Sequence, residues 1–204
     1  MHEHEVTPPF HMGPEIWTEL WLFWLLVPVM IALLVASLAS RRTPRQSESL
    51  PRHRVSVIPE AQLLRLALPL ELLWEIAQLP LFDVWHQGKW SYILYGLAHC
   101  TLGDLLILLA TYELVALLAG GRLWYRSAPV AGSLLFTLLG VAYTVYSELM
   151  NVRIKGTWGY TDLMPIVPLV NIGATPFLQW VLIPSLLIWL MRQLPDGRIP
   201  HTST

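Results

Sequence analysis

The stretch Leu70-Glu71-Leu72-Leu73-Trp74-Glu75-Ile76-Ala77-Gln78-Leu79-Pro80 sets two acids and an amide into an otherwise apolar run. Spacings of four and three put Glu71, Glu75 and Gln78 on one face of a helix. An ionisable group at bilayer depth costs about 2.5–3.5 kcal/mol on insertion scales, so it faces a protein interior and marks a functional site. Working outward, the same conflict recurs. His99, Asp104, Glu113 and Glu148 lie inside or at the rim of further apolar stretches, each long enough to cross a bilayer.

Composition agrees with a membrane setting. Of 204 residues, 54% are hydrophobic and only 13% charged, against about 25% charged in soluble domains. Mean hydropathy is +0.51. A net charge of −1 without a basic tract excludes a nucleic-acid partner. The single cysteine, Cys100, excludes an internal disulfide and multi-cysteine metal centres, and reads as packing. Ten Trp and seven Tyr suit an interfacial aromatic belt. The opening residues carry acids and histidines rather than a basic leader, so no cleavable signal peptide is expected.

A spanning helix needs about 20 mostly apolar residues. Five spans are predicted, at about 16–39, 61–84, 92–118, 130–150 and 175–191, in one integral-membrane domain covering 1–204. The fold class is therefore all-α, a polytopic helical bundle. Pro165, Pro168 and Gly173 make the approach to the last helix an irregular or re-entrant segment. Such backbone survives at membrane depth only under cover of protein or a wet cavity, and it is expected to roof the polar cluster. The Arg-, Ser- and Pro-rich segment 40–59 reads as a cytoplasmic linker.

Orientation follows from basic residues in short loops. Arg41, Arg42, Arg45, Arg52, Arg54, Arg122, Arg126, Arg192 and Arg198 share one side, and Lys89, Arg153 and Lys155 the other. The N-terminus is expected outside (periplasmic) and the C-terminus in the cytoplasm. That topology brings Glu75 and Gln78, then His99 and Asp104, then Glu148 and Asn151 to a similar depth from three helices. The loop after the fourth span, with Trp158 and Tyr160, would lie over them. Convergence from separate elements is the strongest sign of a site.

Three chemistries fit this set. A His with carboxylates satisfies zinc, iron or manganese, which makes His99, Asp104, Glu75 and Glu148 a candidate metal set and a divalent metal the cofactor class. His2, His4 and His11 would form a loose collecting tail. Without metal, a buried neutral carboxyl can protonate an apolar substrate while a second group acts as base. Glu75 and Glu148 are then donor and acceptor, His99 and Asp104 tune them, Gln78 and Asn151 orient the substrate, and Trp158 and Tyr160 close the lid. The third is a proton or ion relay. Plainer readings stand beside these: Glu75 pairs with Arg65, Arg153 or Lys155; Glu113 is a surface or interhelical partner; Asp83 and His86 are solvated; and the polar residues serve only helix contacts in an accessory subunit of a membrane complex.

The segments Trp74-Glu75-Ile76-Ala77-Gln78-Leu79-Pro80, His99-Cys100-Thr101-Leu102-Gly103-Asp104 and Ser147 to Pro165 resemble a family of uncharacterised bacterial inner-membrane proteins. The resemblance covers most of the chain and implies a multi-pass bacterial inner-membrane location among membrane lipids. More remotely, Glu148, Gly156, Trp158-Gly159-Tyr160 and Pro165 are similar to a pattern in membrane carotenoid hydratases and lycopene cyclases. That likeness implies a helical bundle whose acids protonate polyene double bonds without a cofactor. Gln179 and Trp180 stand where lycopene cyclases carry paired glutamates. The leading expectation is an enzyme doing acid–base chemistry on a lipid-soluble, isoprenoid-like substrate.

Overall fold

The computed structural model describes residues 58–194. The predicted span 16–39, most of the linker 40–59, and His2, His4 and His11 lie outside the described residues. Helix α1 runs Pro59–Gln78, a 3-10 turn covers Leu79–Leu81, and the short α2 spans Asp83–Gln87. The 29-residue α3 covers Trp90–Leu118. A one-turn helix, α4 (Trp124–Ser127), leads into α5 (Pro129–Glu148), which widens into a π-helical segment at Leu149–Lys155. Strands β1 (Ile166–Val167) and β2 (Ile172–Gly173) pair antiparallel before α6 (Ala174–Gln193).

The four long helices form a closed ring in which α1 packs on α3, α3 on α5, α5 on α6 and α6 on α1. Three of them are long and apolar enough to cross a membrane: α3, α5 with its π-helical continuation, and α6. Of the five expected spans, the first lies outside the described residues and three of the other four are found among them. The fourth long helix, α1, carries Glu60, Arg65, Glu71 and Glu75 and is too charged to count by composition.

Its polarity is nevertheless inverted relative to a soluble helix. Glu60, Gln62, Glu71, Glu75 and Gln78 are buried, whereas Leu73 is 65% and Ile76 50% exposed. A helix in water does the opposite, turning its apolar stripe inward. Pro69 lies within α1 without ending it, while Pro80 falls in the 3-10 turn that closes it. The predicted boundary at 84 is therefore a helix end near 78 followed by a turn and a new short helix.

The interior is layered along the ring. At one end Arg122 bridges Glu60 at 3.0 Å and Glu113 at 3.2 Å, and the Tyr112 hydroxyl donates to the Arg122 carbonyl. Next comes an apolar core built from Leu63, Ala67, Leu108, Tyr112, Trp124, Phe136, Ile183 and Leu187. Two glycines on α5 let it approach tryptophans. A Cβ on Gly132 would fall 2.3 Å from the Trp124 ring, and one on Gly140 would fall 2.1 Å from the Trp180 ring. Neither position tolerates a side chain without moving the ring. Beyond this core lie a polar layer and a cavity.

The irregular segment predicted before the last helix is present and holds the small hairpin. Asn171 adopts a positive φ of 57° in its turn, a conformation asparagine tolerates better than most residues.

Candidate functional site

The polar layer is built around Gln179, one residue before the tryptophan that Gly140 admits. From α6 its amide nitrogen donates to Glu71 Oε2 at 2.8 Å, Glu75 Oε1 at 3.1 Å and Asp104 Oδ2 at 3.1 Å. Gln78 donates to Glu75 Oε1 at 2.8 Å and to Gln179 Oε1 at 3.2 Å. Helix spacing explains the α1 contribution, since residues 71, 75 and 78 share the face turned to α3 and α6. Glu71 is buried at 1% exposure.

An amide nitrogen has two hydrogens, yet the Gln179 nitrogen faces three carboxyl oxygens. Three carboxyls, Glu71, Glu75 and Asp104, are thus gathered on one amide.

Above it lies a partly open cavity of about 230 Å³. Glu75, Gln78, His99, Cys100, Asp104, Tyr143, Thr144, Glu148, Trp158 and Gln179 are among its lining residues. Glu148 accepts a hydrogen bond from the Tyr160 hydroxyl, which in turn accepts the Gly173 N–H at 2.9 Å. Burial, reinforced by the Glu148 charge, pushes the Tyr160 phenol well above its ordinary pKa, against the pull of the Gly173 N–H and Arg153. The phenol therefore remains a donor to Glu148 at neutral pH. The Trp158 indole stands beside the same carboxyl, although its buried N–H completes no hydrogen bond.

The loop carrying Trp158 and Tyr160 is stapled to the end of α1. Asp83 accepts the Gly159 N–H at 2.9 Å, and the Asp83 N–H donates to the Gly159 carbonyl at 3.1 Å. Thr161 donates to the Leu81 carbonyl through both its backbone N–H and its hydroxyl. Phe82 pairs with Tyr160 as a single bridge, and their rings meet edge to face at 5.6 Å.

Of the residues expected at the site, Glu75, Asp104, Gln78 and Glu148 come together around one cavity, with Trp158 beside Glu148 and Tyr160 bonded to it. His99 lines the same cavity and stacks on Tyr95 with ring centres 5.6 Å apart. Asn151 lines it too, but its amide is committed locally. Its nitrogen donates to the Ser147 carbonyl at 2.9 Å and its oxygen accepts from the Thr157 hydroxyl at 3.4 Å. Glu75 is held by Gln78 and Gln179 rather than standing as one half of a simple ion pair.

The metal set His99, Asp104, Glu75 and Glu148 is corrected. Among the described residues no group of three or more His, Cys, Asp or Glu side chains is arranged to hold a metal ion. Glu75 and Asp104 turn toward each other and Gln179, and Glu148 turns toward Tyr160, so no common centre is left for one cation. Two contributors were not read from the sequence as site residues. Asp83, expected to be solvated, instead holds the lid loop. Gln179 sits at the hub, and its signal was a lone amide within the apolar run 174–191.

The described residues form a bundle of four long helices, three of them able to cross a bilayer, with a carboxyl–amide cluster beside an internal cavity. No family model, curated protein or solved structure matches the chain.

Proposed function

We propose that this chain is a multi-pass membrane protein, resident in a bacterial inner membrane, that performs acid–base chemistry on a lipid-soluble, isoprenoid-like substrate. The observation that carries the reading is the gathering of Glu75 and Asp104 on Gln179 at a cavity that Glu148 also lines. It sets a proton donor and a separate acceptor on the wall of one largely apolar space, as general acid–base catalysis requires. The neutral carboxyl of the pair delivers its proton to one carbon of a C=C bond. This leaves a cation on the other alkene carbon; Glu148, held by Tyr160, removes a proton from the saturated carbon on the far side of that cation, shifting the double bond by one position, and the cycle closes when the two carboxyl groups re-equilibrate through water. Gln179 and Gln78 position the pair, and the apolar walls keep bulk water from the cationic intermediate.

The inverted polarity of α1 supports a fourth membrane-crossing helix, because Leu73 and Ile76 face outward where lipid would lie. With the segment 16–39 this gives five spans. The proposed orientation, N-terminus periplasmic and C-terminus cytoplasmic, draws on Arg41, Arg42, Arg45, Arg52 and Arg54, since within the described loops and helix ends Arg122, Arg126 and Arg192 are matched by Lys89, Arg153 and Lys155.

The test is isotope exchange. Purified protein in lipid nanodiscs is incubated in D₂O with a panel of polyisoprenoid alkenes, and deuterium at carbon is read by mass spectrometry. Wild type is expected to exchange at least one alkene, and Glu75→Gln and Glu148→Gln each to abolish exchange while retaining the wild-type melting profile. Exchange that persists undiminished in both variants would sink the assignment.

A further inference from the structure

The walls of the cavity are not covered alike. The residues that α1 and α6 contribute, among them Glu75, Gln78, Gln179 and Trp180, are buried. On the opposite side Tyr95 of α3 is 45% exposed, and Lys155, at the end of the π-helical continuation of α5, is exposed too. A partly open cavity opens past its uncovered wall, which places the mouth between α3 and α5. Gly96 and Gly103 stand on this stretch of α3, seven residues apart and hence on one face, and both line the cavity. A Cβ on either would meet nothing within 4 Å. They are the reverse of Gly132 and Gly140, whose missing side chains are filled by tryptophan rings. Nearer the Arg122 clamp the two helices do close, where Tyr112 and Phe136 meet edge to face at 6.3 Å.

The end of the cavity away from the apolar core is shut. Asp83 and Leu81 tie down the loop that carries Trp158 and Tyr160, and the Phe82 ring packs on Tyr160. The corner between α2 and α3 is tight as well, since a Cβ on Gly88 would fall 3.3 Å from both the Ile93 and Tyr92 side chains. The side mouth, by contrast, reaches deep. Gly103 lies near the middle of the 29-residue α3, and both α3 and α5 are apolar enough to cross a bilayer. A gap between them at that depth faces hydrocarbon.

We propose that a slit between α3 and α5 joins the cavity to the bilayer and binds the apolar chain of an uncharged ligand drawn from the lipid phase, with Gly96 and Gly103 forming its floor. The inference rests on the membrane-spanning part of the proposed function and is independent of the acid–base step. A charged molecule is excluded from this route, because it would have to shed its water in hydrocarbon before reaching the mouth. The cavity of about 230 Å³ falls below the roughly 300–1,000 Å³ that holds a whole drug-sized ligand. It takes one end of a chain and leaves the remainder to the slit.

The test is photolabelling of the full chain in lipid nanodiscs with two probes, a straight-chain alkyl diazirine that partitions into the bilayer and a short sulfonated diazirine confined to water. Labelled residues are read by peptide mass spectrometry. The alkyl probe is expected to mark Glu75, Asp104 or Glu148 at least about tenfold above the sulfonate, because its methylenes favour hydrocarbon. It is also expected to mark Leu134, which is 59% exposed on α5. Gly96→Leu and Gly103→Leu fill the slit without displacing a neighbour. Each is expected to lose the cavity label while keeping the Leu134 label and the wild-type melting profile. Gly103→Ala, too small to fill the slit, is expected to keep both labels. Asp83→Ala, which loosens the loop, is expected to leave the cavity label unchanged. A cavity label that survives both leucine variants, rises in Asp83→Ala, or is matched by the sulfonate would overturn the proposal. An unlabelled Leu134 would sink the membrane reading of α5, and this inference with it. Slit-dependent labelling without deuterium exchange removes only the acid–base reading, whereas exchange with a cavity label indifferent to Gly96 and Gly103 removes only this one.

Discussion

Gln179 on α6 donates its amide hydrogen to Glu71 on α1 at 2.8 Å, tying together two helices through groups that apolar packing would otherwise exclude. The same nitrogen serves Glu75 and Asp104. A methyl or methylene surface in its place would leave three buried carboxyls without that donor.

Gln179→Leu is therefore expected to destabilise the bundle by about 1–3 kcal/mol, the cost of leaving a buried acceptor unsatisfied. The loss should shrink when Glu71→Leu is already present, because the orphaned carboxyl is then gone. Thermal or denaturant unfolding of the two single variants and the double variant, in detergent, measures the coupling. Additivity within about 0.5 kcal/mol would mean the two residues do not act as a unit.

Tyr160 connects the lid loop to both Glu148 and β2. Tyr160→Phe removes its donation to Glu148 and its acceptance from Gly173 while keeping the ring against Phe82. Amide exchange at Gly173 is expected to accelerate, whereas the α3 amides stay protected. A pH dependence follows from the raised phenol. A tyrosine in the unfolded chain ionises near pH 10, but burial keeps Tyr160 protonated to higher pH in the folded chain. The folded state then holds a proton that the unfolded state has lost, so the stabilisation is full below about pH 10 and declines as pH rises above it. Tyr160→Phe should lose stability less steeply than wild type between about pH 10 and 11. Parallel curves would refute the assignment.

Gly140 and Trp180 interlock where α5 crosses α6. Gly140→Ala puts a Cβ 2.1 Å from the Trp180 ring, and the ring must swing, carrying the neighbouring Gln179 out of register with the carboxyls. Overpacking of this kind costs about 1–3 kcal/mol. Trp180→Leu in the same chain should recover part of that loss by opening space. Melting temperatures of the four proteins decide it, and a Gly140→Ala variant as stable as wild type would show that the ring is not confined.

What could be read from the sequence was set by periodicity and by the penalty on buried charge. The helices at 92–118, 130–150 and 175–191 are present within a few residues of those bounds, since an unbroken apolar run of that length leaves the backbone little choice but to satisfy itself internally. The meeting of Glu75, Asp104 and Glu148 was legible for the same reason. Less legible was the end of α1, where Pro69 is absorbed and Pro80 terminates, although the two residues look alike in a sequence. The partners of the acids were hidden as well. Gln179 lies more than 70 residues from each carboxyl it contacts, and Asp83 is 76 residues from the Gly159 N–H it accepts. No local pattern encodes pairings that only the closed ring of helices creates. The metal set failed for a related reason. Residue types alone allowed it, but amide and phenol donors took up the carboxyl oxygens that a cation would have needed.

Gly156 ends the π-helical segment in the left-handed region, at φ 62° and ψ 32°, with open space where a Cβ would go. Its strain is therefore purely a matter of backbone, and Gly156→Ala should cost about 1 kcal/mol, the penalty for a non-glycine residue in that conformation. Gly156→Asn should cost less, because asparagine tolerates the region better. The two variants separate backbone preference from packing, which a single substitution cannot do. Equal destabilisation by alanine and asparagine would point to a steric cause instead.

At the other end of the bundle, Arg122 stands between Glu60 and Glu113. Both acids are buried, Glu113 at 1% exposure, which assigns the residue once read as a surface or interhelical partner to the interhelical role. The guanidinium lies between α1 and α3 and bonds to both, so removing it leaves two buried carboxyls facing each other. Arg122→Met keeps most of the side-chain length and deletes the charge, and the expected loss is about 3–5 kcal/mol, as for a buried ion pair stripped of one partner. Replacing the acids as well, in Glu60→Gln/Glu113→Gln/Arg122→Met, removes the uncompensated charge and should restore most of that stability. This outcome distinguishes a structural clamp from a site whose charge is needed elsewhere. Because the clamp lies across the apolar core from Glu75 and Glu148, the triple variant should also retain full deuterium exchange. A triple variant that folds as wild type but has lost exchange would show that the two ends of the bundle are coupled.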